Sequence, residues 1–261
     1  MNKKLTLGRV GSLLAISSTY LFLYVPIVVL LVFSFNTARF PAPWSGFTLE
    51  WYRELFRSTY LWKAFNNSLI VATSSAMISL SAGVGLIFYA YQGGRIRKYL
   101  GIFYGNLVIP ETLLAVSLLT FFTLIHIPLG LGTLILAHSV LGLGFVIPLL
   151  YARYKELDHT LTEVSLDLGA SPLQTFFRVI LPLMRSTLMT TALLVFILSF
   201  DDFVLSYFCA GSSAQTLSLY ILSMIRTSVS PVVNALSTVL LFLSSAFALL
   251  FFSIKTRGRI L

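Results

Sequence analysis

The amino-acid sequence predicts an all-α membrane protein with six transmembrane helices. Of its 261 residues, 57% are hydrophobic and 10% are charged, whereas about 25% of the residues in a soluble domain carry charge. A helix needs about 20 mainly apolar residues to cross a bilayer. Six stretches are long and apolar enough, namely residues 11–35, 64–91, 101–125, 130–152, 186–208 and 231–253. We expect residues 1–261 to form a single transmembrane domain, with an N-terminal helix followed by core helices over 64–253.

Only three acidic or basic residues lie inside the six predicted spans. Four spans contain no Asp, Glu, Lys or Arg, the third contains Glu111, and the fifth contains Asp201 and Asp202. Three basic residues precede the first span, as they do in a signal peptide. The apolar run of the first span is too long for a signal peptide, so we expect the first helix to be retained in the mature protein.

The basic residues predict the orientation of the spans. Thirteen of the 18 Lys and Arg residues fall on the side that holds both termini, and five fall on the other side. Basic residues concentrate in cytoplasmic loops, so both termini are expected in the cytoplasm. The net charge of +9 suits anionic lipid headgroups. No basic patch interleaves with aromatic residues, so nucleic acid is not expected as a partner. The lone Cys209 excludes an internal disulfide.

The first outer loop, residues 36–63, contains a short amphipathic segment. Residues 49–56 read LEWYRELF, a pattern typical of a helix that lies at the membrane surface. Trp51 and Tyr52 are the expected interfacial anchors.

The loop over residues 153–185, between the fourth and fifth spans, is unusually long for a connection within a compact domain, and such loops tend to be functional. Thr160 followed by Glu163 predicts a capping box at the start of a short helix. Gly169 suits the left-handed position that ends a helix. Ser171 and Gln174 predict a second capping box, with a proline at the first helical position. The loop is therefore expected to form two short helices joined by a glycine turn.

The second of these helices carries apolar residues at helical spacing. Leu173, Phe176, Phe177 and Ile180 fall at i, i+3, i+4 and i+7, which predicts one apolar face. Pro182 is expected to separate this helix from the fifth span. Two interpretations fit: the face packs on its own membrane domain or the lipid surface, or it inserts into a groove on a partner.

The 153–185 loop resembles the EAA loop of the membrane subunits of bacterial ABC importers, whose pattern is EAA, three residues, Gly, nine residues and I-x-L-P. The matching positions are Glu163-Val164-Ser165, Gly169 and Val179-Ile180-Leu181-Pro182. Glu163, Gly169, Leu181 and Pro182 agree with the pattern, while Val164 and Ser165 replace the alanines and Val179 replaces isoleucine. In that family the loop sits in a cleft of the ATP-binding subunit. The resemblance implies these ATPase-coupling residues: Glu163, Gly169, Ser171, Phe176, Phe177, Leu181 and Pro182.

The resemblance extends over nearly the whole chain, and the sequence is most similar to spermidine/putrescine importer permeases. The supporting stretches are residues 47–56, 66–72, 108–119, 198–208 and 223–238. The sequence differs at Val232, where many such permeases have an acidic residue. It implies the type I importer (MetI-like) permease fold, an arch of five helices plus an N-terminal helix, in the bacterial inner membrane.

The same resemblance implies the partners. The chain has no GxxxxGK[ST] phosphate loop, so we do not expect it to be an enzyme or to bind a cofactor. We expect a dimer of cytoplasmic ATP-binding subunits to hold ATP and Mg²⁺ and to supply the energy. A second permease subunit, related but distinct, would complete the passage. A polyamine-binding protein outside the membrane would deliver the substrate.

The charged residues in the fifth span raise two alternatives. Adjacent positions on a helix point about 100° apart, so one aspartate can line a pathway while the other caps a helix break or meets a neighbouring helix. Carboxylates beside aromatic rings suit a polyamine; equally, both aspartates can accept hydrogen bonds in an interrupted helix. Glu111 either lines the same pathway or supports a kink at Pro110. The pathway candidates are Asp201, Asp202, Glu111, Phe200 and Tyr207, and we predict neither catalytic residues nor a metal site.

Three rival functions fit part of this pattern. An importer of ferric iron or thiamine keeps the fold and changes the cargo, whereas the acidic residues argue against an oxyanion. An intramembrane enzyme lacks support, because GxSxG and HExxH are absent. An autonomous channel or secondary transporter would leave the 153–185 loop without a role. The sequence favours an ATP-driven importer permease for polyamines.

Overall fold

The computed structural model describes residues 2–38, 43–227 and 231–257, and these ranges are almost entirely helical. The helices are α1 (Asn2–Phe33), α2 (Glu50–Arg57), α3 (Thr59–Tyr91), α4 (Leu100–Val108), α5 (Glu111–Leu124), α6 (Leu131–Lys155), α7 (His159–Asp167), α8 (Pro172–Thr175), α9 (Leu181–Leu183), α10 (Arg185–Asp201), α11 (Val204–Cys209), α12 (Leu217–Thr227) and α13 (Pro231–Arg257). A 3₁₀ turn covers Ile96–Lys98 and a π-helical stretch covers Phe176–Ile180. Within the described ranges the sole β-type pairing is an isolated bridge between Asn36 and Phe47. The predicted all-α class is confirmed.

The chain divides into two compact units, one made of residues 1–61 and 221–261 and the other of residues 62–220. In the first unit, α13 packs against α1 and α2. The apolar side chains of α1 from Gly11 onward are mostly exposed, as in a helix that faces lipid or another protein.

The segment between α1 and α3 packs on itself in the first unit. Trp51 is buried, and its indole Nε1 donates a hydrogen bond to the backbone oxygen of Asn36 at 2.8 Å. The hydroxyl of Tyr52 lies 2.7 Å from the Ser34 hydroxyl. The expectation that these two aromatic residues anchor the loop in the membrane surface is therefore wrong for Trp51, because the indole N–H has its partner inside the loop.

Three described helices are long and apolar enough to cross a membrane, within α1, α3 and α6. Two bent pairs raise this number to as many as five: Ile96–Val108 with Glu111–Leu124, bent by 109°, and Pro172–Leu183 with Arg185–Asp201, bent by 69°. The sixth predicted span, 231–253, lies within α13, whose apolar part over the residues tested is Pro231–Ala246.

The third predicted span, 101–125, is a broken helix rather than a straight one. α4 ends at Val108, and Ile109 and Pro110 are both extended, with ψ of 130° and 133°. Proline disfavours the helical conformation of the residue before it and has no N–H to continue the ladder. The predicted kink at Pro110 is confirmed, and Glu111 becomes the first residue of α5.

Close helix contacts at the centre of the second unit depend on glycine. A Cβ atom at Gly142 of α6 would lie 2.5 Å from the Ser79 hydroxyl oxygen of α3 and 2.8 Å from a methyl carbon of Val195 of α10. Small residues allow helices in membranes to approach closely. This approach brings polar groups of α3, α6 and α10 into one buried layer.

Candidate functional site

The break between α10 and α11 gives Asp202 a structural role. α10 ends at Asp201, and Asp202 is extended, with φ −62° and ψ 132°. Its Oδ2 accepts the N–H of Ser206 at 2.9 Å, and Oδ1 accepts the N–H of Leu205 at 3.4 Å. The first N–H groups of a helix lack partners within the helix, and the Asp202 carboxylate satisfies two of them for α11. One of the two aspartates thus serves the helix break, as one alternative from the sequence predicted.

Asp202 is also bound from neighbouring helices. The Ser218 hydroxyl donates to its backbone oxygen at 2.7 Å. His138 of α6 places Nε2 3.5 Å from Oδ2, and its Nδ1 lies 2.8 Å from the hydroxyl of Ser199. The Ser199 hydroxyl also accepts a hydrogen bond from Ser75 of α3 at 3.1 Å. These contacts join α3, α6, α10 and α12 around the break.

His138 is the residue that sequence reasoning missed. It is 1% exposed within an otherwise apolar span. A signal was present, because an ionisable residue inside a span normally pairs with another polar group. The sequence did not show that this group would be Asp202.

Asp201, Asp202 and Glu111 line one cavity of about 560 Å³. Asp201 and Glu111 are solvent-exposed, whereas Asp202 is buried. The cavity walls are mainly apolar and include Leu107, Ile109, Leu114, Leu141, Ile197 and Val204.

Two helix breaks of the second unit meet at this cavity. Ile109 and Glu111 come from the break between α4 and α5, and Asp201 and Phe203 come from the break between α10 and α11. Irregular backbone at membrane depth is tolerated where it is buried in protein or lines a water-filled cavity. Discontinuous helices also form the substrate sites of many transporters. The arrangement can hold a cation between carboxylates and an apolar chain along the walls.

Two predicted pathway residues lie elsewhere. The Phe200 ring packs against Phe65 and Phe196, with ring centres 6.0 and 5.8 Å away. Tyr207 packs against Phe203 and Phe208. Neither Phe200 nor Tyr207 lines the cavity; its aromatic lining comes from Phe145 and Phe203.

The 153–185 loop forms the expected two helices with one different cap. α7 is capped by Asp158, whose Oδ1 accepts the N–H of Thr160 at 2.9 Å. The predicted box at Thr160 and Glu163 is therefore wrong, because the chain is already helical at His159. Gly169 has φ +86°, as predicted. The box at Ser171 and Gln174 is confirmed, with hydrogen bonds of 2.9 and 3.3 Å.

The predicted apolar face of the second loop helix divides into two. Phe176 and Ile180 are buried, and the Phe176 ring packs 4.9 Å from Phe88 and 5.8 Å from Tyr91 of α3. Leu173 and Phe177 are 54% and 53% exposed. The first interpretation, packing on the chain's own membrane domain, therefore holds for Phe176 and Ile180, and Phe176 does not belong to the exposed surface expected to meet the ATP-binding subunit. A π-helical stretch begins at Phe176, and its wider turn disrupts the periodicity on which the prediction relied.

The remaining coupling candidates lie in the exposed part of this loop or at its end. Glu163, Ser171 and Pro182 are exposed and Leu181 is half-buried. Pro182 lies inside α9, and the sharp bend falls two residues later, at Met184, instead of at Pro182.

A shallow groove runs along the loop helices. It has a volume of about 420 Å³ and is lined by Leu161, Val164, Ser165, Leu168, Gln174 and Arg178 among others. Leu168 is 83% exposed. Apolar surface that stays exposed on a folded protein often marks a contact with another protein.

Comparisons with known proteins show the family of the chain. Residues 5–257 match the family described as "Binding-protein-dependent transport system inner membrane component". The chain is 38% identical over 232 residues to the spermidine/putrescine transport system permease protein PotC of Escherichia coli, covering 87% of each chain. The corresponding protein of Haemophilus influenzae is 35% identical, covering 88% of this chain and 91% of the relative. The putrescine transport system permease protein PotI of Escherichia coli is 33% identical, covering 85% and 82%.

One solved structure resembles the whole chain. It is a bacterial ABC transporter involved in the import of the acidic polysaccharide alginate, with a TM-score of 0.69, 13% sequence identity and coverage of 98% of both chains. At this identity the likeness concerns the fold alone, which agrees with the predicted importer permease fold.

Proposed function

The chain belongs to the family of inner membrane components of binding-protein-dependent transport systems, and we propose that it moves polyamines such as spermidine and putrescine into the cytoplasm. The relatives that share a third or more of its residues are named for these substrates.

The observation that carries the proposal is the meeting of two helix breaks at one acidic, apolar-walled cavity. A polyamine combines several ammonium groups with short methylene chains. The carboxylates of Asp201 and Glu111 can receive the ammonium groups through charge-assisted hydrogen bonds. The apolar walls suit the methylene chains, and the aromatic ring of Phe203 in the lining can attract a cation.

Energy for transport would come from partner subunits. In the proposed assembly, a dimer of ATP-binding subunits holds ATP and Mg²⁺ and receives the exposed side chains of the 153–185 loop in its cleft. Glu163 and Gly169 lie on this loop, and Phe177 is its exposed aromatic residue. This chain would then bind no cofactor and catalyse no reaction itself.

The remaining parts of the assembly follow the same proposal. Both termini and the 153–185 loop face the cytoplasm, where most of the basic residues lie. A second permease subunit, related to this chain but distinct from it, completes the passage. A polyamine-binding protein delivers substrate at the opposite face.

Uptake in cells tests the substrate. Bacteria that lack their own polyamine uptake would express this chain together with its partner subunits, and uptake of radiolabelled spermidine would be measured. We expect uptake that unlabelled spermidine or putrescine competes away and that disappears when this chain is omitted.

The same cells separate the proposal from its rivals. Excess thiamine or a ferric chelate should leave spermidine uptake unchanged. Transport of labelled thiamine or iron, with none of spermidine, would keep the permease family and overturn the polyamine assignment.

A further inference from the structure

The His138 side chain connects the cavity wall to the interior of the second unit. Its ring lies between Ser199 of α10, 2.8 Å from Nδ1, and Asp202 at the helix break, 3.5 Å from Nε2. Both ring nitrogens therefore face polar groups of the segment that carries the acidic residues of the cavity.

The order of the hydrogen bonds assigns the proton on the ring. The Ser75 hydroxyl has one proton and two acceptors, Ser199 at 3.1 Å and the Ala72 backbone oxygen at 3.2 Å. We assign this proton to Ser199, which leaves the Ser199 hydroxyl to donate to Nδ1 of His138, because the Asp202 carboxylate beside Nε2 favours an N–H on Nε2. In a neutral imidazole one nitrogen accepts and the other donates. Nε2 therefore carries the N–H, and it points toward the Asp202 carboxylate.

The N–H on Nε2 is a buried donor without a hydrogen bond among the described residues. The 3.5 Å to Oδ2 of Asp202 exceeds the usual limit of about 3.2 Å. Buried donors are rarely left without an acceptor, and each exception calls for an explanation. A small movement of the Asp202 side chain toward α6 would complete this bond.

Asp202 has charged or polar neighbours on two sides. Toward the cavity, it shares the lining with the carboxyl groups of Asp201 and Glu111. Toward the interior, it faces His138 and the N–H groups of Leu205 and Ser206. A cation bound in the cavity would attract the Asp202 carboxylate toward the cavity, and the N–H on Nε2 of His138, 3.5 Å from Oδ2, would attract it toward the interior.

We infer that His138 is a positioning residue for transport: it holds Asp202 in the cavity wall, so that Asp201 and Glu111 remain the carboxylates that meet the cationic substrate. This inference rests on the proposed function and adds a residue that acts through Asp202 without touching the substrate. The effect of losing His138 falls on substrate recognition as well as on the helix break.

A matched pair of amide variants tests the inference in the complete transporter. In His138→Gln, the side-chain amide can reach the position of Nε2 and donate to Asp202. In His138→Asn, the shorter amide reaches only the position of Nδ1, beside Ser199. His138→Leu removes both contacts. The readouts are the half-saturating spermidine concentration and the maximal uptake rate per assembled complex, with assembly measured by co-purification of the partner subunits.

We expect His138→Leu and His138→Asn to change the half-saturating concentration about tenfold, because they remove the N–H that the Asp202 carboxylate can reach by a small movement. One hydrogen bond to a charged group corresponds to a change of about this size. His138→Gln should stay within about threefold of the wild type, since it keeps a donor for Asp202. A purely structural role would instead lower the number of complexes and leave the half-saturating concentration unchanged.

Other results would overturn the inference. Equal half-saturation in the Gln and Asn variants, or a wild-type value in His138→Leu, would show that His138 does not position Asp202 for transport. Absence of spermidine uptake by the wild type would overturn the polyamine proposal, and this inference with it. The experiment therefore distinguishes failure of the His138 inference from failure of the polyamine proposal.

Discussion

The 153–185 loop and the break between α10 and α11 both interrupt regular helix, and they differ in which side chains they expose. In the loop, Leu168 and Phe177 are exposed although they are apolar. At the break, Asp202 and His138 are buried although they are polar. Apolar side chains are usually buried and polar side chains are usually exposed. The loop departs from this rule by exposing apolar side chains, and the break departs from it by burying polar ones.

The difference lies in what completes each region. The buried polar groups of the break find most of their partners within this chain, from α3, α6, α11 and α12. The exposed apolar groups of the loop have no equivalent cover in the second unit as described, and the proposed function covers them with an ATP-binding subunit. The site at the break is thus formed by this chain alone, whereas the loop forms one side of a proposed interface with the ATP-binding subunit.

Two neighbouring phenylalanines give the largest expected contrast within the loop. Phe176→Ala removes a fully buried ring that packs on α3, and should lower the free energy of unfolding by about 3–5 kcal/mol. Phe177→Ala removes an exposed ring and should change it by less than about 0.5 kcal/mol. Thermal unfolding of the purified chain in detergent measures both.

Binding of the ATP-binding subunit should show the opposite order, with the larger effect for Phe177→Ala. Phe177→Ala should weaken co-purification of the ATP-binding subunit, while any surviving Phe176→Ala protein should bind it through the unchanged Phe177. Equal destabilisation by the two variants would mean that the loop has no distinct inner and outer faces.

A smaller effect is expected at the turn between the loop helices. Gly169 has φ +86° and open space where a Cβ would lie, so Gly169→Ala costs only the backbone strain, about 1–2 kcal/mol. Gly169→Asn should cost less, because asparagine tolerates this conformation. The measurement is again the unfolding temperature, followed by uptake.

Gly105→Ala is the matched control, because Gly105 lies in the interior of α4 and also has open space where a Cβ would lie. Alanine is favoured over glycine in a helix interior by about 1 kcal/mol, so this variant should be as stable as the wild type or more so. Destabilisation of both variants to the same extent would show that the left-handed turn is not what Gly169 provides.

Local chemistry made several features predictable from the sequence. Pro110 restricts its own backbone and that of Ile109, so the kink follows from two adjacent residues. Ser171 with Gln174, and the left-handed Gly169, likewise depend on residues within one turn. The two-helix form of the loop could be predicted for the same reason.

Features set by distant residues could not be predicted. Ser199 meets His138 and Ser75, which are 61 and 124 residues away along the chain. Helical spacing also could not show that Phe176 faces inward and Phe177 outward, because the regular period fails in the π-helical stretch. Trp51 was misassigned for a similar reason: its acceptor on Asn36 is 15 residues away.

The central claim is that the two adjacent aspartates have different roles, with Asp201 facing the substrate and Asp202 holding the helix break. Uptake of labelled spermidine by the complete transporter, measured for Asp201→Asn and Asp202→Asn against substrate concentration, tests this claim most directly. Complexes are counted by co-purification, so that each rate refers to assembled transporter.

The account predicts that Asp201→Asn assembles normally and needs about tenfold more spermidine for half-maximal uptake, as expected when a charged hydrogen-bond partner is lost. Asp202→Asn can keep its one oxygen at the position of Oδ2, where it still accepts from Ser206 and faces His138, so its main effect should be on assembly and unfolding temperature. Normal half-saturation in Asp201→Asn, with a large increase in Asp202→Asn, would contradict the account.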